Sequence, residues 1–229
     1  MTAFRLPSRY FITETKTMDE HVIWWRKKIL ARTAKALEAN GFTAVAADTL
    51  KDAASFAADA VPAGSTVGLG GSMSVRELGL AEMLSSRGHG IIMPLAGMSR
   101  EDALAKRRAA LSADVYLASP QAVTVDGKLI FVDMHANRTA AVSFGPSKVV
   151  LVAGFNKIAF DEAAGIFRAR NVAAPINVRR LGRKTPCAET GLCSDCDSEG
   201  RICRVVEVIL KKPGSTEICV VLCAQDLGY

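Results

Sequence analysis

The chain has 229 residues, of which 49% are apolar, 23% charged and 6% aromatic, and its formal net charge is +6. An apolar fraction of this size excludes a polar disordered chain, and the length suits one domain with at most an appendage. No apolar run approaches the ~20 residues that span a bilayer, and Met1 to Phe11 lacks a continuous apolar leader, so a cytoplasmic protein is expected. Arg168, Arg170, Arg179, Arg180, Arg183 and Lys184 lie between Ala163 and Ala188 with no acid among them, which accounts for the whole positive excess. Aromatic residues do not interleave with these arginines, so a base-stacking platform is missing and nucleic acid is not the expected partner.

In chain order, residues 1–18 read as an N-terminal arm. Thr17-Met18-Asp19-Glu20 has capping-box spacing, Val22, Trp25, Ile29, Ala36 and Leu37 follow the helical period, and Asn40-Gly41 supplies the stop. Phe42 to Ala46 is a short strand, and Asp48 or Thr49 caps a second helix running to about Ala60. Thr66 to Leu69 is a strand that ends in the glycine loop Gly70-Gly71-Ser72. A helix then opens with a second capping-box spacing, Ser74 to Glu77, and closes near Arg87-Gly88. A strand at Ile91 to Met93, a basic helix from Ser99 to Leu111 and a strand at Asp114 to Ser119 follow.

This alternation predicts a mostly parallel sheet covered on both faces. Two β-rich runs around Asp126-Gly127 form the strongest hairpin signal in the chain. Lys148 to Gly154 is a fully apolar strand, and Phe160 to Arg170 a helix. The α/β domain thus covers 19–175. Residues 176–229 read as a cysteine-rich segment plus a β-hairpin, Arg204 to Lys211 with Glu217 to Cys223, completing the same domain.

The sharpest chemical signal is Cys187, Cys193, Cys196 and Cys203, spaced C-x5-C-x2-C-x6-C. A C-x2-C pair lets two thiolates reach one metal, and two more nearby cysteines complete a four-sulfur shell without distant chain closure. The spacing accommodates an iron–sulfur cluster or structural zinc and matches neither the ferredoxin run nor a zinc ribbon. Cys219 and Cys223 share one face of an apolar strand and read as packing.

A second signal is Gly68-Leu69-Gly70-Gly71-Ser72. Glycines at a strand end permit close approach of a phosphate or carboxylate, although a tight turn with Ser72 as N-cap gives the same pattern. The loop is neither a Walker A motif nor a full G-x-G-x-x-G fingerprint. A third cluster joins Asp133, His135, Asn137 and Arg138 with Asn156 and Lys157, the last two at the end of the next strand. Arg138 suits bidentate anion binding and Lys157 a point charge.

Gly-Leu-Gly-Gly-Ser-Met-Ser at 68–74, Asp-Gly-Lys-Leu at 126–129, the stretch from Asn137-Arg138 to Val150, Gly-Phe-Asn-Lys at 154–157, Thr-Pro-Cys at 185–187, the cysteine run and the closing Asp-Leu-Gly-Tyr together resemble the LUD domain of lactate utilisation proteins. The resemblance implies a three-layer α/β sandwich like the NagB/RpiA/CoA-transferase group. It also implies a pocket at Gly70, Gly71 and Ser72 with Asn137, Arg138, Asn156 and Lys157 around it. The activity it implies is an accessory role in iron–sulfur-dependent oxidation of lactate or a related 2-hydroxy acid, with other lactate-utilisation proteins as partners and a 4Fe–4S cluster or zinc as cofactor. A non-redox metabolite-binding module with a structural zinc is the alternative. Acyl or CoA transfer is another, with Glu77 or Asp133 as nucleophile. Relatives carry Asp-Gly-x-Gly-Asn-Arg where this chain has Asp133-Met134-His135-Ala136-Asn137-Arg138, so a narrower loop is expected here.

Overall fold

The structure is a computed structural model that describes residues 18–229. Helix α1 (Glu20–Ala39) is capped by Asp19, whose carboxylate accepts from the His21 N–H at 2.8 Å, and it ends at Asn40 and a left-handed Gly41. Thr17, expected as the cap, lies outside the described residues. Leu30, Thr33 and Leu37 face the core, whereas Val22 and Trp25 at the start of the apolar stripe stay largely exposed. Trp25 instead sets its edge against Phe155, with ring centroids 5.2 Å apart.

The remaining elements are β1 (Thr43–Ala47), α2 (Leu50–Asp59), β2 (Thr66–Leu69), α3 (Met73–Glu77), α4 (Leu80–Ser86), β3 (Gly90–Ile92), α5 (Arg100–Ala110) and β4 (Val115–Ala118), followed by β5 (Ala122–Thr124), β6 (Leu129–Asp133), α6 (Asn137–Ser143), β7 (Lys148–Gly154) and β8 (Ile158–Ala159). After these come α7 (Glu162–Arg168), a π-helical turn at Ala169–Ala173, α8 (Ala174–Arg180), α9 (Pro186–Thr190), β9 (Val205–Ile209) and β10 (Glu217–Cys223). One expected helix is therefore two: Gly79, left-handed at φ 61°, separates α3 from α4. The N-cap of α3 is Ser72, whose hydroxyl accepts from Val75 N–H, so the Ser74 to Glu77 spacing is not a capping box.

Six strands form one parallel sheet in the order β1-β10-β7-β4-β2-β3. Strand alternation splits its side chains between two faces. Val67, Leu69, Val115, Leu117, Val150, Val152, Cys219, Val221 and Cys223 pack against α2, α3 and α4. Tyr116, Val149, Leu151, Ile218, Val220 and Leu222 pack against α1, α6 and the second sheet. This is the expected three-layer α/β arrangement, and Cys219 and Cys223 are buried packing within it. The second sheet has the order β8-β5-β6-β9, in which β5 and β6 are the antiparallel hairpin expected around Asp126-Gly127. Gly127 has φ +83°, and a Cβ there would fall 2.6 Å from the Ala36 carbonyl carbon, so the turn closes directly onto α1.

The expected C-terminal hairpin does not form. The two strands exist, but β9 pairs antiparallel with β6 in the small sheet, and β10 lies parallel between β1 and β7 in the large one. Every residue of β10 from Ile218 to Cys223 is buried. An apolar strand with two buried faces satisfies both of its edges only inside a sheet, and the Pro213-Gly214-Ser215 turn leads β10 there. The residues beyond 175 are therefore not an appendage to the large sheet; they supply one of its central strands. A chain ending at residue 216 should lack a cooperative thermal transition by calorimetry. A transition as sharp as that of the full chain would mean that β10 is dispensable.

Candidate functional site

The strand order reverses between β2 and β4: from β2 the chain goes outward to β3 and then returns to β4 on the other side. Ligands of open parallel sheets bind in the crevice outside the strand ends at such a reversal. Three connections meet there: the Gly70–Ser72 loop after β2, Ser119-Pro120 after β4, and the 3₁₀ turn Phe155–Lys157 after β7. They border a cavity of about 60 Å³ whose polar lining includes Ser72, Ser74, Ser119, Gln121, Arg138, Lys157 and Asn177. The π-helical turn presents Ala169 and Ala173 as a small-residue wall, and Tyr229 forms part of the rim.

Lys157 is the centre of this site. It is 3% exposed, and its ammonium donates to Ser74 Oγ and Ser119 Oγ at 2.7 Å each. Burial disfavours its charged form, the positive charges of Arg168 and Arg138 add to that, and Glu77 opposes them weakly, so its pKa falls to about 7. Arg138 reaches the same cavity. Its Nη2 donates to the Val132 carbonyl and its Nη1 to the Ser119 carbonyl at 3.4 Å. Its buried Nε has no hydrogen-bond partner and stands 3.7 Å from Asp133 Oδ2. Ser119 thus bridges the two cations, with its hydroxyl on Lys157 and its carbonyl on Arg138.

The other expected site residues divide by location. Gly71 and Ser72 line the cavity, and a Cβ at Gly71 would meet only open space. Gly68 serves packing: a Cβ there would fall 2.5 Å from the Ala110 carbonyl oxygen. Gly70 lies against the Tyr116 hydroxyl, 3.1 Å from the place of its Cβ. Asn137 opens α6 and does not line the cavity. Asn156 is a latch for the tail, accepting from Leu227 N–H at 3.0 Å and donating to the Gly228 carbonyl at 2.8 Å. His135 is exposed.

Both acyl-transfer candidates accept backbone hydrogen bonds. The Asp133 carboxylate accepts from the N–H groups of Met134 at 2.7 Å and Arg138 at 3.0 Å, capping α6 where its own N-cap residue, Ala136, has no side-chain bond. Ala136 adopts φ 57°, the conformation that a glycine at this position takes without a Cβ penalty. Glu77 accepts from Gly228 N–H at 2.7 Å. Ser74, Ser119 and Tyr229 were missed in the sequence; the available signal was position, since both serines follow the carboxyl end of a strand.

The LUD-domain family model matches residues 30–223. The chain belongs to the LUD-domain family. No curated protein sequence matches it. The crystal structure of a DUF162 family protein from Deinococcus radiodurans is similar in fold, with a TM-score of 0.52 at 15% identity, covering 87% of this chain and 98% of that one. The LUD family is associated with lactate utilisation. No helix among the described residues is long and apolar enough to cross a membrane.

In this LUD domain, the four clustered cysteines are free and partly buried, spread over α9 and the loop that follows it. Cys187 Sγ lies 3.3 Å from the Thr185 hydroxyl, and Cys193 Sγ is 3.8 Å from Arg170 Nη2. Hydrogen bonds from Ser198 lower the Cys196 thiol pKa, while burial raises that of Cys203. Arg170 and Arg201 both pair with Asp195, and Arg201 also donates to the carbonyls of Cys196 at 2.7 Å and Cys203 at 3.0 Å. Cys193, Cys196 and Cys203 stand near the Arg170 and Arg201 guanidiniums, and thiols so placed are chemically suited to a thiolate-bound metal. Among the described residues, however, no three His, Cys, Asp or Glu side chains converge on one point, so no chemistry is routed through such a group.

Lys157 makes stability depend on pH in a calculable direction. Its folded pKa of about 7 lies below the ordinary 10.5, so between these values the unfolded chain binds more protons and stability rises with pH. The cost of burying the charged amine is fully present below pH 7 and is relieved towards pH 10.5. Lys157→Met should therefore melt higher than the parent at neutral pH, and the difference should shrink as pH rises towards 10.5. A difference in melting temperature that stays constant over that range would contradict the assignment.

Proposed function

We propose that this LUD domain binds a small carboxylate, a 2-hydroxy or 2-oxo acid, in the cavity at the β2/β4 reversal, as an accessory to the oxidation of lactate or a related acid. The observation that carries this reading is the pairing of two substantially buried cations, Arg138 and Lys157, across Ser119, with no acid ion-paired to Lys157 among the described residues. Asp133 stands 3.7 Å from Arg138, but a desolvated Lys157 is costly without a counter-charge, and a bound carboxylate supplies one. The small size of the cavity and its hydroxyl lining favour an anion of few atoms over a nucleotide. Calorimetric titration with L-lactate, pyruvate and inorganic phosphate tests the reading. At least one carboxylate should bind, and Arg138→Gln should weaken it by about tenfold or more, equivalent to ~1.4 kcal/mol. A folded protein that takes up no carboxylate would refute it.

The cysteine segment enters the same reading as the holder of a metal centre, with Cys187, Cys193, Cys196 and Cys203 as ligands to an iron–sulfur cluster or to zinc. Iron–sulfur would supply one-electron transfer; zinc would tie the segment to the domain. Arg170 and Arg201 support this choice, because their charge offsets that of a thiolate cage. Elemental analysis of protein purified without oxygen should find iron or zinc at about one centre per chain, lost in the Cys193→Ser, Cys196→Ser double variant. Parent protein with neither metal would remove the centre from the reading while leaving the carboxylate site in place.

A further inference from the structure

We propose that Lys157 is a covalent site: its ε-amine condenses with the keto group of a small 2-oxo acid held in the cavity, forming an imine and releasing water. The inference rests on the carboxylate-binding reading above and adds the substrate class and the reacting atom.

The first argument is the direction of the hydroxyl protons. Ser74 Oγ has the Leu227 carbonyl as acceptor at 3.3 Å, and Ser119 Oγ has the Pro120 carbonyl at 3.2 Å. Both hydroxyls send their protons to backbone and offer lone pairs to Lys157. The lysine is therefore not arranged as the base of a serine nucleophile; the serines hold the lysine. Two acceptors use two of the three positions around Nζ, and the third remains for the cavity that Lys157 lines.

The second argument is electrostatic. Among the described residues no carboxylate pairs with the amine, and Arg138 and Arg168 stand near it. Arg168 is anchored on the carbonyls of Asn156 and Gln121 and is itself substantially buried. A lysine buried beside other cations keeps a fraction of neutral amine, the form with a nucleophilic lone pair. Ala169, Ala173 and Ala174 form an apolar side of the cavity that Lys157 also lines. Arg138 across Ser119 is placed to take the carboxylate of the same ligand, which leaves its keto carbon towards Nζ.

The step balances without an oxidant. The Nζ lone pair adds to the keto carbon, the carbonyl oxygen takes a proton and becomes the carbinolamine hydroxyl, and nitrogen loses one. Nitrogen then gives up its second proton to that hydroxyl, which leaves as water as the C=N bond forms. Rotation of either serine hydroxyl, 2.7 Å from Nζ, off its backbone acceptor lets it relay these protons.

The test uses the full chain with pyruvate as probe and borohydride as trap, read by intact mass and peptide mass spectrometry. One reduced pyruvate adduct per chain is expected, on the peptide that carries Lys157. L-Lactate, which lacks a carbonyl, should bind without giving an adduct. Lys157→Met and Lys157→Arg, each checked for a cooperative melt, should both lose the adduct. Pyruvate that binds by calorimetry without labelling Lys157 would overturn the covalent site and leave the carboxylate reading standing. Labelling spread over surface lysines would overturn it as well. Absence of binding heat with pyruvate, lactate and every other carboxylate would overturn both.

Discussion

The parallel insertion of β10 between β1 and β7 is the pairing on which the molecule depends. It joins residues 43–47 and 148–154 through a strand that arrives only at 217–223, and it runs in register with both neighbours along their length. Six consecutive residues are buried there on two faces, at ~2 kcal/mol for each large apolar side chain. Without it, β1 would be a strand without a sheet and β7 an apolar edge. Pairings of such sequence separation pay their loop-closure entropy before they gain contacts.

The same strand builds the site indirectly. From its carboxyl end the chain passes through Leu227 and Gly228 beside the glycine loop. Gly228 has φ +58°, and a Cβ there would fall 2.4 Å from Ser74 Oγ. Glu77 and Asn156 hold this tail from two sides, and Ser74 is held by the Leu227 carbonyl. Core order is thereby converted into the orientation of a hydroxyl that faces Lys157. The buried amine is a stability cost carried at the place where the fold offers a cavity, the usual relation between strain and function.

The cysteine segment is organised on different principles. Its loop is held by Arg170, Arg201 and Asp195, while Cys187, Ala188 and Ile202 tie the segment to the small cluster around Ala174 and Val178. Charge and hydrogen bonding position these sulfurs, whereas Cys219 and Cys223 sit in the core by the ordinary preference of a thiol for apolar surroundings.

Much of this was readable in advance because it is local. The 3.6 and 2.0 periods, the Asn40-Gly41 stop, the Asp126-Gly127 turn and the Thr49 and Ser99 caps each depend on a few neighbouring residues, and the motifs at 68–74, 137–138 and 154–157 identified the family and brought Lys157 and Arg138 into view. What only the tertiary structure decided is non-local. Local pattern shows that two strands near the end are β-forming, but which edge each joins depends on surfaces made more than 60 residues away, so a hairpin was expected where two sheets were completed. The roles of Ser74, Ser119 and Asn156 were hidden for the same reason. A serine's chemistry is set by what its hydroxyl meets, and here the partners stand 83 and 38 residues distant along the chain for the two serines, and 72 for the asparagine.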